Sequence, residues 1–193
     1  MRKGWVLFWV FLAIGAIGAS GCSVAPKISD QGGLESASGL ILNDHVWSLR
    51  GRLAVVKNNA AESVRIKWQH WPGREKLVVY GPLGRQLVVI VLEGRNVVVD
   101  YGADNKIILQ DVTRGVDFGL GFEVPILAFR YWILGLPAPD NQFIYVPEGF
   151  IQNGWRVFFA RIVKVQRYSL PKKVHLSYGD VKLKLLVDQW QLM

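Results

Sequence analysis

Ser63-Val64-Arg65-Ile66-Lys67-Trp68-Gln69 puts every apolar side chain on one parity and every polar one on the other. Successive side chains of a strand point to opposite faces, so this stretch is a strand with one wet side and one dry. Val181-Lys182-Leu183-Lys184-Leu185 repeats the pattern near the end of the chain. Working outward, the same reading predicts strands over 47–56, 62–71, 75–81, 85–93, 95–101, 105–111, 142–147, 154–163, 173–178 and 180–190. Turn signals separate them: Pro72-Gly73, Gly81-Pro82-Leu83-Gly84, Glu93-Gly94, Gly102-Ala103-Asp104, Asn153-Gly154 and Gly179-Asp180. Strands at such short spacing argue for a mainly β fold, an antiparallel meander curled into a barrel or part of one.

One segment breaks the rhythm. Pro125 to Leu134 begins with a proline suited to a first helical turn and ends at Gly135, with Pro137 beyond. Ile126, Phe129, Arg130 and Ile133 share one helical face, and Leu127, Tyr131 and Leu134 another. A helix apolar nearly all round is buried on more than one side, as it would be across the concave face of a curled sheet. Leu87-Val88-Val89-Ile90-Val91-Leu92 does not alternate at all. Two readings follow: a central strand covered on both sides, or the wall of an apolar cavity.

The N-terminus has the grammar of an export signal. Arg2 and Lys3 precede an uncharged, mostly apolar run from Trp5 to Ala19, followed by Ala19-Ser20-Gly21 as a small-residue cleavage site. The run is short for a spanning helix, although an uncleaved anchor is the competing reading. Cys22, the only cysteine, resembles the acceptor of a lipobox, with Ala19 where leucine is usual. The expected product is residues 22–193 carrying a covalent N-acyl diacylglyceryl group on Cys22 and no other cofactor. By the same resemblance Ser23, in place of aspartate, directs it to the outer membrane, lipid-anchored and facing the periplasm. Residues 22–39 are small and polar and read as a flexible tether, ahead of a domain over 40–193. Between them Leu40, Ile41 and His45 fit the inward side of a short helix.

Composition narrows the function. Removing residues 1–21, which hold two cations and no acids, takes the formal charge from +8 to +6. The cations are scattered along alternating strands rather than clustered, so nucleic acid is a poor partner, whereas anionic lipid or an acidic protein suits the balance. No catalytic constellation emerges. His45, His70 and His175 lack metal-ligand spacing, so no metal is expected. His175 and Ser177 share a strand face without a nucleophile elbow, and Gly119-Leu120-Gly121 lacks the rest of a phosphate loop. An enzyme is not expected.

Six motifs in order then resemble the LolB family of outer-membrane lipoprotein receptors. They are Leu49-Arg50-Gly51-Arg52-Leu53-Ala54-Val55, Trp68-Gln69, Gly81-Pro82-Leu83-Gly84, Arg130-Tyr131-Trp132-Ile133-Leu134-Gly135-Leu136-Pro137, Gln152-Asn153-Gly154-Trp155-Arg156-Val157, and Leu170-Pro171 before a last strand ending at Trp190. The resemblance implies an open antiparallel half-barrel with a small helical lid over an apolar cavity. It implies a receptor that takes acylated lipoprotein cargo from a periplasmic, LolA-like carrier and inserts it into outer-membrane lipid, as a monomer. It carries membrane contact onto Leu83 with Pro82, and an acyl-chain cavity onto Trp68, Leu87, Val89, Val91, Leu127, Phe129 and Ile133. Gly115, Gly119 and Gly121 weaken the helix the family would place over 113–123, so a shorter lid is expected. The alternative function is a lipid-anchored structural or assembly factor of the outer membrane that transfers no acyl chains.

Overall fold

The computed structural model describes Ala37, Gly39 and residues 45–193, apart from 59, 104, 111–114, 119–120 and 140. The signal segment, Cys22, most of the tether, Leu40 and Ile41 lie outside the described residues. Ala37 and Gly39 are helical, and Ala37 is packed into the hydrophobic core, so the packed chain reaches back past residue 40. His45 lies outside any strand or helix.

The elements run β1 Trp47–Lys57, β2 Ala60–Trp71, β3 Arg74–Tyr80, β4 Gln86–Glu93, β5 Asn96–Asp100, β6 Lys106–Leu109, β7 Val116–Asp117, β8 Glu123–Val124, α1 Ile126–Trp132, β9 Phe143–Val146, β10 Gly149–Gln152, β11 Trp155–Val165, β12 Tyr168–Tyr178 and β13 Val181–Leu192. Among the described residues eleven strands form one antiparallel sheet in the order β6-β5-β4-β3-β2-β1-β13-β12-β11-β10-β9. The sheet is open, and β6 and β9 are its free edges. The chain leaves one edge after β6 and returns at the other as β9. Between them it carries a small β7–β8 ladder and α1 over the concave face.

The first strand pairs with the last. β1 meets β13 from Trp47↔Leu192 to Val56↔Lys182, with a bulge that skips Asp188. Gly51 sits at that bulge, where a Cβ would lie 2.6 Å from the Leu186 carbonyl oxygen. The strands therefore approach closely only because Gly51 has no side chain. Next to this seam Trp47 stacks on His70, with centroids 5.1 Å apart, and meets Trp190 edge-on at 5.8 Å. Trp190 Nε1 donates to the Pro171 carbonyl at 3.0 Å.

Two differences from the sequence reading go beyond a residue or two at a strand end. β10 is a separate strand, because a turn at Glu148 (φ 62°) and another at Asn153-Gly154 leave only four residues between them. β12 begins at Tyr168 rather than 173. Pro171 is tolerated there because it faces Ile162, where the register of β11 is already shifted. Val116–Asp117 pairs with Glu123–Val124, so the described ends of the glycine-bearing segment are extended rather than helical.

Candidate functional site

The site has two parts, the concave face under α1 and the turn between β3 and β4. The inward parity of β2, β3 and β4 is Ile66, Trp68, His70, then Glu75, Leu77, Val79, then Val88, Ile90, Leu92, all buried. α1 lies on this surface with Phe129 against Trp68, ring centroids 5.7 Å apart, and Phe118 packs on Phe129 at 6.0 Å. After Trp132 the chain turns through 133–135. Gly135 N donates to the Trp132 carbonyl and Leu136 N to the Tyr131 carbonyl, a closure that places Gly135 at φ 88°.

Two polar clusters fasten this apolar lid. Glu75 is buried, and its carboxylate accepts from Trp68 Nε1 at 2.8 Å. It also contacts His70 Nδ1 at 3.1 Å and Arg130 Nε at 3.1 Å. Arg130 Nε is not aligned to donate, so its contact is ionic rather than hydrogen-bonded. At the other end Gln152 uses its whole amide. Its oxygen accepts from Trp132 Nε1 and Ala138 N, each at 2.8 Å, and its nitrogen donates to the carbonyls of Ala138 and Asn141 at 2.8 and 2.9 Å. Neither Glu75 nor Gln152 stands out by residue type, since a polar residue in a strand reads as solvent-facing. Gln152→Leu should cost about 3 kcal/mol, because each buried polar group left unpaired costs roughly 1–3 kcal/mol. Urea unfolding would measure the loss, and faster exchange of the Ala138 amide would locate it.

The residues expected to line a cavity divide. Trp68, Phe129 and Ile133 are fully buried on the concave side. Leu127 is half-buried and lines a cleft of about 600 Å³ at the rim of α1, together with Ala128, Tyr131, Trp155 and Tyr178. Val89 and Val91 require correction: they lie half-exposed on the outer face, where they stand opposite Val78 and Val98. An outer valine cluster gives β4 its second apolar parity, and alternation cannot say which parity faces in. Leu87 is skipped by the β3–β4 register. Its δ-carbons come within 3.1 Å of where a Cβ on Gly81 would lie, so it packs beneath the turn.

The turn itself is built to present Leu83. Gly81 N donates to the Arg85 carbonyl at 2.8 Å and Gly84 N to the Gly81 carbonyl at 3.2 Å, closing the loop at its base. Pro82 and Leu83 are both exposed, Leu83 entirely (102 %). Leu83 also has φ 61°, a left-handed conformation that costs a non-glycine residue about 1–2 kcal/mol. A bulky apolar side chain is thus held in solvent by a strained backbone and contributes nothing to packing within the chain.

The remaining candidates place plainly. His175 lies on the outer face beside Phe158, and burial, then Lys173 and Lys184, hold its pKa below the usual imidazole value. Among the described residues no cluster of His, Cys, Asp and Glu could hold a metal ion. No described helix is long and apolar enough to cross a membrane.

With this geometry in view, residues 45–190 match the family model described as outer membrane lipoprotein LolB. The chain is 26% identical over 194 aligned residues to a Chromohalobacter salexigens protein named outer-membrane lipoprotein LolB, covering 96% of this chain and 90% of that one. It is 30% identical over 193 residues to one of that name from Xanthomonas oryzae, covering 89% and 85%. Its fold is similar to the crystal structure of a LolA superfamily protein from Nitrosomonas europaea. That likeness has a TM-score of 0.53 at 11% identity and covers 84% of this chain and 93% of the other.

Proposed function

This chain belongs to the LolB family of outer-membrane lipoproteins, and from that we propose that it accepts acylated lipoproteins from a periplasmic carrier and inserts them into the outer membrane. The observation that carries the reading is Leu83, wholly in solvent on a strained turn at the edge of an apolar, lidded half-barrel. Cys22, acylated after removal of residues 1–21, would tether the domain to the membrane that the turn meets.

Transfer on this reading makes and breaks no covalent bond. Cargo acyl chains leave an apolar cavity in the carrier, displace α1 from the concave face and later enter the bilayer. The apolar surface buried is similar in all three places, so small differences in affinity set the direction. The lid suits such exchange. α1 is only seven residues long, and its polar fastenings at Glu75 and Gln152 can re-form once cargo departs.

The test is to mix the protein with a purified carrier loaded with acylated lipoprotein, without liposomes. Cargo should move onto this protein and leave the carrier empty. Cargo that stays on the carrier, with this protein folded, would favour the structural or assembly-factor role instead.

A further inference from the structure

The outer face of the sheet carries charge that its own packing leaves uncompensated. Arg50 stands directly opposite Lys67, and Arg52 opposite Arg65, on alternate rungs of the β1–β2 ladder that share one face. Like charges in such positions destabilise a sheet. Arg52 is neutralised by Asp188 at 3.0 Å. Arg50, Arg65 and Lys67 have no acidic partner among the described residues. These three cations line a groove of about 560 Å³ together with Tyr80, Gly84 and Asp188, whose carboxylate is already taken up by Arg52 at 3.0 Å. Tyr80 is the last residue of β3 and Gly84 belongs to the turn, so the groove opens at the foot of the loop that carries Leu83. Arg85, also exposed, follows the turn.

We propose that this groove binds the phosphate of an anionic phospholipid headgroup in the bilayer that Leu83 enters. The inference rests on the membrane contact of Leu83 proposed above. A leucine side chain is short, so once it lies in the acyl layer the root of its turn stands at the depth of the headgroup phosphates. Two guanidiniums and an ammonium converge there, and guanidinium matches phosphate oxygens in a bidentate fork. A bilayer explains the apolar tip and the basic foot together, whereas an acidic soluble protein explains only the second.

The test is lysine footprinting of the full-length protein incorporated into vesicles. An amine-reactive, water-soluble reagent is applied and modification is read by mass spectrometry. Replacing one-third of the phosphatidylcholine with phosphatidylglycerol should slow labelling of Lys67 by roughly fivefold or more, at about that factor per engaged cation. Exposed Lys164, near the far end of β11, should label at the same rate in both vesicles. R50Q/R65Q should abolish the difference at Lys67. Inorganic phosphate added to neutral vesicles should give no protection. If it protects as well as phosphatidylglycerol, the groove is a general anion site and the lipid assignment fails. Equal Lys67 labelling in both vesicles, with cargo still delivered, overturns the headgroup site and leaves the receptor reading standing. Protection of Lys67 with no cargo delivered upholds the headgroup site and removes the receptor reading.

Discussion

Leu83→Glu should abolish delivery of cargo to the bilayer while leaving the protein folded and able to accept cargo. The side chain packs against nothing, so a carboxylate there meets only water in the free protein. In the membrane the exchange loses a leucine burial of about 1.5–3 kcal/mol and adds the cost of a charge in lipid. Release into liposomes should fall by roughly 10- to 100-fold or more, with lipoprotein trapped on this protein. Leu83→Gly sharpens the point. Glycine adopts φ 61° freely, so this variant should be more stable by about 1 kcal/mol and still deliver poorly. The measurement is the partition of cargo between carrier, protein and liposomes, alongside urea unfolding. A glutamate variant that delivers normally would remove Leu83 from the membrane contact. One that fails to accept cargo would move the turn to the carrier interface.

Glu75→Ala should be the most destabilising single change in the lid. It strips the acceptor from Trp68 Nε1 and leaves the guanidinium of Arg130 without a counter-charge in the interior. Breaking a buried ion pair from one side costs about 3–5 kcal/mol, because the remaining charge is stranded. The double variant Glu75→Leu/Arg130→Leu should recover a large part of that loss, since an apolar pair strands nothing. Unfolding followed by tryptophan fluorescence compares the three proteins. A single-variant loss under about 0.5 kcal/mol would mean that water already reaches Arg130.

The strands were legible because their apolar residues alternate with charged ones, as from Ser63 to Gln69. Where both parities are apolar, the signal is silent on direction. Val89 and Val91 were assigned inward and lie outward, because Val78 and Val98 give the outer face a small apolar cluster of its own. Leu87 is a different case: a bulge removes it from the ladder, and it packs partly buried against the core beneath the turn, a placement that leaves no mark in periodicity. Residue type hides buried His70 and Glu75, but their positions carry a signal. His70 shares the parity of Ile66 and Trp68, so it points inward, and a hairpin at Pro72-Gly73 sets Glu75 opposite it. The exposure of Leu83 was legible because a leucine between turn residues has nothing nearby to pack on.

Pairing of the first strand with the last also fixes when the sheet can be completed. A chain made from its N-terminus presents β1 before every other described strand, and the strand that completes its ladder, β13, emerges after all of them. Until then the sheet is two separate halves, β6 to β1 and β12 to β9, each with an extra raw edge of unpaired amides and carbonyls. Contacts spanning nearly the whole domain are slow to form, and the waiting halves are exposed to faulty association. A nascent or truncated copy lacking β13 therefore has no continuous concave wall. The topology therefore makes the whole concave face wait on the strand that is made last.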